Sequence, residues 1–133
     1  MTALGHFVLL RHDGVPEPHY DLMIEEGEAL ATWSMEAPPG AAGGAPSACR
    51  KIKDHRKDYL AYEGPVAGDR GEVRACDRGT ARWLSTAEAR RVVELRGGAV
   101  RGIFVLERAG TSASWEMRRE EAVAAPDPEA SET

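Results

Sequence analysis

Long apolar runs are missing from this chain. None approaches the ~20 residues that a membrane-spanning helix needs, so no membrane role is expected. Met1 to Gly5 lacks the basic and apolar regions of a secretory leader, and the expected compartment is the cytoplasm. Cysteine is nearly absent. Cys49 and Cys76 form no CxxC pair and join no zinc pattern, so they read as two reduced thiols without a role. The chain also lacks a P-loop, a GxGxxG and a GxSxG, which leaves nucleotide-motor, dinucleotide and serine-hydrolase chemistry without support.

Basic residues are absent from one stretch in particular. Residues 120–133 contain Glu120, Glu121, Asp127, Glu129 and Glu132 but no Lys or Arg. The formal charge of −5 therefore belongs to this end of the chain. Taking its five carboxylates from the 22 acidic residues leaves 17, against 17 Lys and Arg. A neutral remainder neither announces a polyanion partner nor excludes one, because local patches outweigh the sum. With two prolines and many Ala and Glu residues, 120–133 is expected to be an acidic disordered tail.

What is present suits one globular domain over residues 1–119. The 133 residues are 42% hydrophobic and 29% charged, an ordinary balance with length enough for one core. Phe7 to Leu10 is a short apolar run, read as a buried strand beginning at His6, and Gly14 to Pro18 breaks it. His19 to Glu25 alternates, with Tyr20, Leu22 and Ile24 on one face and His19, Asp21, Met23 and Glu25 on the other. Glu26-Gly27 offers a turn into a third strand, Ala29 to Met35. Residues 37–48, APPGAAGGAPSA, carry no core-forming side chains and are either a flexible connection or a lid. Glu72 to Cys76 and Thr80 to Leu84 flank Asp77-Arg78-Gly79, a hairpin signal. Ser85 to Glu88 has the capping-box form, which predicts a short helix. Val92 to Leu95, Val100 to Leu106 and Trp115 to Arg118 complete the pattern. The expectation is a mainly β fold, a compact closed or partly open barrel of seven or eight short strands.

Chemistry concentrates in few residues. His19 and Asp21 lie two apart on a strand, so both project from one face and can chelate one ion. His12 precedes the Gly14 to Pro18 turn, and a hairpin would fold it back beside His19. A nitrogen and oxygen donor set of this kind suits Mn, Fe or Zn. The plain alternative is a set of surface or hydrogen-bonded histidines. His55 lies among Lys53, Arg56, Lys57 and Tyr59, a phosphate-binding surface or simply a solvated charged segment. His6, at the start of an apolar strand, reads as a packing residue.

Several segments in one order resemble a known family: FVLLRHD (7–13), HYDLMIE (19–25), DHRKDYLAYEGPV (54–66), RGEV (70–73), DRGT (77–80) and RGIFVLER (101–108). Together they resemble the 3′-phosphoesterase domain of bacterial DNA ligase D, and in wording its stand-alone bacterial branch. The resemblance implies a compact β-barrel enzyme that uses manganese. It implies removal of 3′-phosphates and 3′-terminal ribonucleosides during DNA repair and end joining. By position, His12, His19 and Asp21 match metal ligands, while His55 and Tyr59 match the pair that engages the scissile phosphate. Arg56 and Arg11 are the added phosphate-binding candidates. The implied partners are nucleic-acid 3′ ends, DNA or RNA-primed DNA, and a repair ligase or polymerase, with the chain itself a monomer.

Three departures stand out. Met23 occupies the place of a family arginine that helps hold the phosphate, unless Arg11, Arg50 or Arg56 substitutes. Lys53 replaces a family glutamate, and the turn between His12 and His19 is one residue longer. Two further readings follow: a non-catalytic module that binds nucleic-acid ends or a repair partner, and a hydrolase of small phosphoesters.

Overall fold

The computed structural model describes residues 4–110 and 113–120. Except for Glu120, the acidic tail lies outside the described residues. Among the described residues nine strands form: β1 (Gly5–Asp13), β2 (His19–Glu26), β3 (Ala29–Met35), β4 (Ser47–His55), β5 (Gly64–Pro65), β6 (Glu72–Ala87), β7 (Arg90–Gly97), β8 (Arg101–Arg108) and β9 (Ser114–Arg119). Their order is β1-β2-β3-β4-β9-β8-β7-β6, and β6 returns to pair with β1. Every pairing is antiparallel. Eight strands therefore close a barrel, with β5 attached beside β6 as a ninth. Closure leaves none of the eight with an unpaired edge. Among the described residues no helix is long and apolar enough to cross a membrane.

Two apolar layers explain the sequence pattern of the first strands. The barrel interior gathers Phe7, Leu9, Leu22, Ile24, Trp33, Trp83, Phe104, Leu106 and Trp115. Trp33 sits at its centre, with ring centroids 6.4 Å from Trp83 and 5.7 Å from Trp115. Alternate residues of the same strands, Val8, Leu10, Met23, Leu30 and Val73, form a second cluster on the outer wall. Tyr59, Leu60, Val66 and Ala75 pack over it. The apolar runs FVLL and LMI are thus buried on both faces, which is why neither shows a solvent side. The flap that covers them comprises a 3₁₀ turn, Lys57–Leu60, and β5.

Three local expectations are corrected. Asp77-Arg78-Gly79 is not a hairpin but the middle of β6, a single 16-residue strand. Gly79 is required there for packing: a Cβ would lie 2.0 Å from the Arg96 carbonyl oxygen across the β6–β7 pair. Asp77 serves a different turn, accepting the amide N–H groups of Gly98, Ala99 and Val100 at 2.7–2.9 Å. The Ser85 to Glu88 capping box starts no helix, because β6 continues to Ala87 and turns directly into β7. Cross-strand pairing on both sides of the turn overrides the local cap signal. His6 is not a packing residue: its ring is exposed and lies 3.2 Å from Glu25.

The proline- and glycine-rich connection is ordered by successive turns, with N–H to carbonyl bonds Ala41 to Pro38, Gly43 to Gly40 and Ala45 to Ala42. It lies against the barrel end, where Gly40 approaches the Phe104 ring.

Candidate metal centre

The turn from Gly14 to Pro18 returns the chain so that His12 pairs directly with His19 across β1 and β2. Their ring centroids are 5.0 Å apart. Asp21, two residues on, projects from the same outer face. One ligand atom from each of His12, His19 and Asp21 lies within 4.8 Å of the others. Donors around one ion at ~2.2 Å each stand at most ~4.4 Å apart, so small side-chain movements close this set on a cation.

The hydrogen-bonding of the two rings is what separates this cluster from ordinary surface histidines. His19 Nδ1–H donates to the Glu17 carbonyl at 2.8 Å. His12 Nε2–H donates to the Arg70 carbonyl at 2.7 Å. A carbonyl oxygen only accepts, so in the neutral imidazoles each bond fixes which nitrogen carries the proton and leaves a lone pair on the other. The remaining nitrogens, His19 Nε2 and His12 Nδ1, face Asp21 at 3.3 Å and 3.8 Å. Outward N–H groups held by carbonyls are the usual support of metal-binding imidazoles.

Asp21 shows the same demand for a cation. Its side chain is 6% exposed, and Oδ1 is buried without a hydrogen-bond partner. Burial pushes its carboxyl above the ordinary range, and the nearby His19, His12 and His55 only partly oppose that. A buried carboxylate beside two inward lone pairs is electrostatically incomplete. The residues present therefore fit a divalent ion.

His55 and Tyr59 lie beside this cluster. A register shift in the β3–β4 pair carries one extra residue on β4 and sets His55 opposite Leu30 on the outer wall. Its Nδ1–H donates to the Lys53 carbonyl at 3.0 Å, leaving Nε2 available. The ring packs edge-on against Tyr59, centroid to centroid 5.4 Å. Arg56 opens the 3₁₀ turn and is exposed. Lys53 is exposed on the bulge.

Arg11 is not brought to the site. Its strand position pairs with Tyr20, which packs against the barrel interior. The guanidinium stacks over that ring at 4.8 Å and bonds Asp13 at 3.0 Å. Met23 is 2% exposed between Val8, Leu10 and Leu30. It is a packing residue of the outer cluster, in a layer where a guanidinium would lack a partner.

Arg50 does reach the right face. Asp21 pairs with Ser34, Ser34 with Arg50, and Arg50 with Ser114, one transverse row across four strands. A groove of about 850 Å³ joins His19, Ser34, Arg50 and Ser114. Ser34, Ser114 and the carbonyls of Glu17 and Arg70 carry no sequence signal, since only strand pairing assembles them. No family model matches the chain, and no curated protein matches it.

Proposed function

We propose that this chain is a metal-dependent 3′-phosphoesterase that removes a 3′-phosphate or a 3′-terminal ribonucleoside from nucleic-acid ends in cytoplasmic DNA repair. The supporting observation is the buried Asp21 carboxylate, whose Oδ1 lacks a regular hydrogen bond, facing one nitrogen each of His12 and His19 at 3.8 and 3.3 Å. His12, His19 and Asp21 would hold the ion, with manganese the cation that the motif resemblance implies. Bound there, a divalent ion supplies positive charge to a phosphoryl group and to the water that attacks it.

The chain's own side chains supply the rest. As an imidazolium, with Nδ1–H on the Lys53 carbonyl and a second proton on Nε2, His55 would give the Nε2 proton to the leaving oxygen as its bond to phosphorus breaks. The Tyr59 hydroxyl adds a neutral donor to the same phosphate. Arg56 at the flap and Arg50 in the Asp21 row supply the cationic contacts that Met23 does not. Arg11 has no part in this scheme, because it serves Tyr20 and Asp13.

The test is release of 3′-phosphate or a 3′-ribonucleoside from a primer-template with added manganese. Turnover absent in His19→Ala is the expected result. Wild-type turnover no greater than that control overturns the enzymatic reading. The apolar burial of Met23 favours one alternative, a non-catalytic module binding nucleic-acid ends or a repair partner. Retained end binding with no turnover in manganese would select it.

A further inference from the structure

The flap carries a second concave feature, which shares Arg56 and Tyr59 with the reaction above and extends beyond them to Tyr62 and Pro65. A cavity of about 390 Å³ lies between the 3₁₀ turn and β5, lined by Arg56, Asp58, Tyr59, Tyr62, Pro65 and Val66. We infer that this cavity is a nucleobase pocket, taking the base of the terminal nucleotide whose phosphate lies at His55. The inference rests on the proposed phosphoesterase reading for the position of that phosphate.

Three observations carry it. First, the lining is flat and apolar where a base would stack. The Tyr59 and Tyr62 rings meet edge to face, 5.7 Å apart at 84°, and Pro65 and Val66 continue the surface. Second, the aromatic groups form a continuous series that ends at His55. Tyr62 contacts Tyr59, and Tyr59 contacts His55, the residue that the proposed reading sets at the scissile phosphate. A phosphate at His55 thus has an aromatic surface next to it, within reach of the attached nucleoside.

Third, Tyr62 is exposed yet held. At 37% exposure it is among the few large apolar side chains facing solvent, and its hydroxyl donates to the Pro65 carbonyl. The surrounding backbone is tied by Tyr59 N–H to the Arg56 carbonyl at 3.0 Å and by Val66 N–H to the Gly71 carbonyl at 2.8 Å. The Glu63 carboxylate also accepts the Ala75 N–H at 2.7 Å. An aromatic ring presented by a braced loop offers stacking area without an ordering cost on binding. Among the described residues, neither Arg56 nor Asp58 makes an ion pair with another side chain. One is a donor fork and the other an acceptor, the two kinds of group that the edge of a base needs. Stacking serves every base, so the pocket tolerates base identity but not base absence.

The experiment compares two primer-templates in manganese, one ending in an ordinary nucleotide 3′-phosphate and one ending in an abasic 3′-phosphate. Wild-type kcat/KM is expected to be about tenfold or more higher on the base-bearing end. In Tyr62→Ala that ratio falls toward one, while Tyr62→Phe, which keeps the ring, retains most of it. Equal wild-type rates on both ends overturn the pocket and leave the phosphoesterase reading standing. Should neither end be cleaved, the phosphoesterase reading fails and a binding measurement decides the pocket separately. Adenosine 3′-monophosphate is then titrated with magnesium present, against ribose phosphate. Amide shifts at Tyr62 and Val66 caused by the nucleotide alone uphold the pocket, and their absence overturns it.

Discussion

At the scale of single residues, the molecule sets two aspartates in opposite environments. Asp21 is desolvated by burial and its carboxyl is raised, with His19, His12 and His55 only partly compensating. A raised folded-state pKa means that the metal-free fold loses stability as pH rises above the ordinary carboxylate value and the buried charge appears. Asp21→Asn removes that charge, and its amide can donate to the inward histidine nitrogens. We expect the metal-free variant to gain roughly 0.5–2 kcal/mol at neutral pH, measured by urea unfolding, while calorimetry detects no manganese binding. Asp77 is the reverse case. Desolvation pushes it up, but the N–H groups of Val100, Ala99, Gly98 and Arg78 outweigh that and hold it below the usual value. A lowered folded pKa contributes stability that is present above the unfolded value and lost as pH falls through the folded one. Asp77→Asn should cost about 1–3 kcal/mol at neutral pH. Its denaturation midpoint should also fall less steeply than wild type below about pH 4.

At the scale of elements, close approach of strands constrains the chain more than local propensity does. β6 and β7 pass each other so tightly at Gly79 that a Cβ would meet the Arg96 carbonyl oxygen at 2.0 Å. Gly79→Ala must part the strands, so thermal unfolding should register a loss of about 2–4 kcal/mol. The same element explains why local signals misled. DRG resembles a turn and S-x-x-E resembles a helix start, but each segment is pinned by a partner strand, the first by β1 and β7, the second by β7. The alternation of β2, by contrast, was legible. His19 and Asp21 share a face by the two-residue period alone, and the placement of His12 opposite His19 follows from one tight turn.

At the scale of the whole molecule, closure joins pieces that are far apart in sequence. The Arg70 carbonyl that holds His12 lies 58 residues away, and the flap that covers Met23 comes from the chain between β4 and β6. A cation held by His12, His19 and Asp21 would tie β1 to β2 in the native state. Manganese at 100 times its Kd should therefore raise stability by about 2.7 kcal/mol. A thermal scan with and without the ion checks this, and His19→Ala should show no shift.

The sequence by itself determined the β character, the face shared by His19 and Asp21, and the place of His12. These depend on neighbours within one hairpin, where alternation and turn chemistry set geometry directly. Only the tertiary structure decided which way Arg11 points, that Met23 is a packing residue, and that Arg50 joins the row of Asp21. It also decided that the imidazole N–H groups end on the carbonyls of Glu17 and Arg70. Burial on the outer wall and bonds to backbone carbonyls depend on which strands meet when the barrel closes. No residue type in the sequence records that.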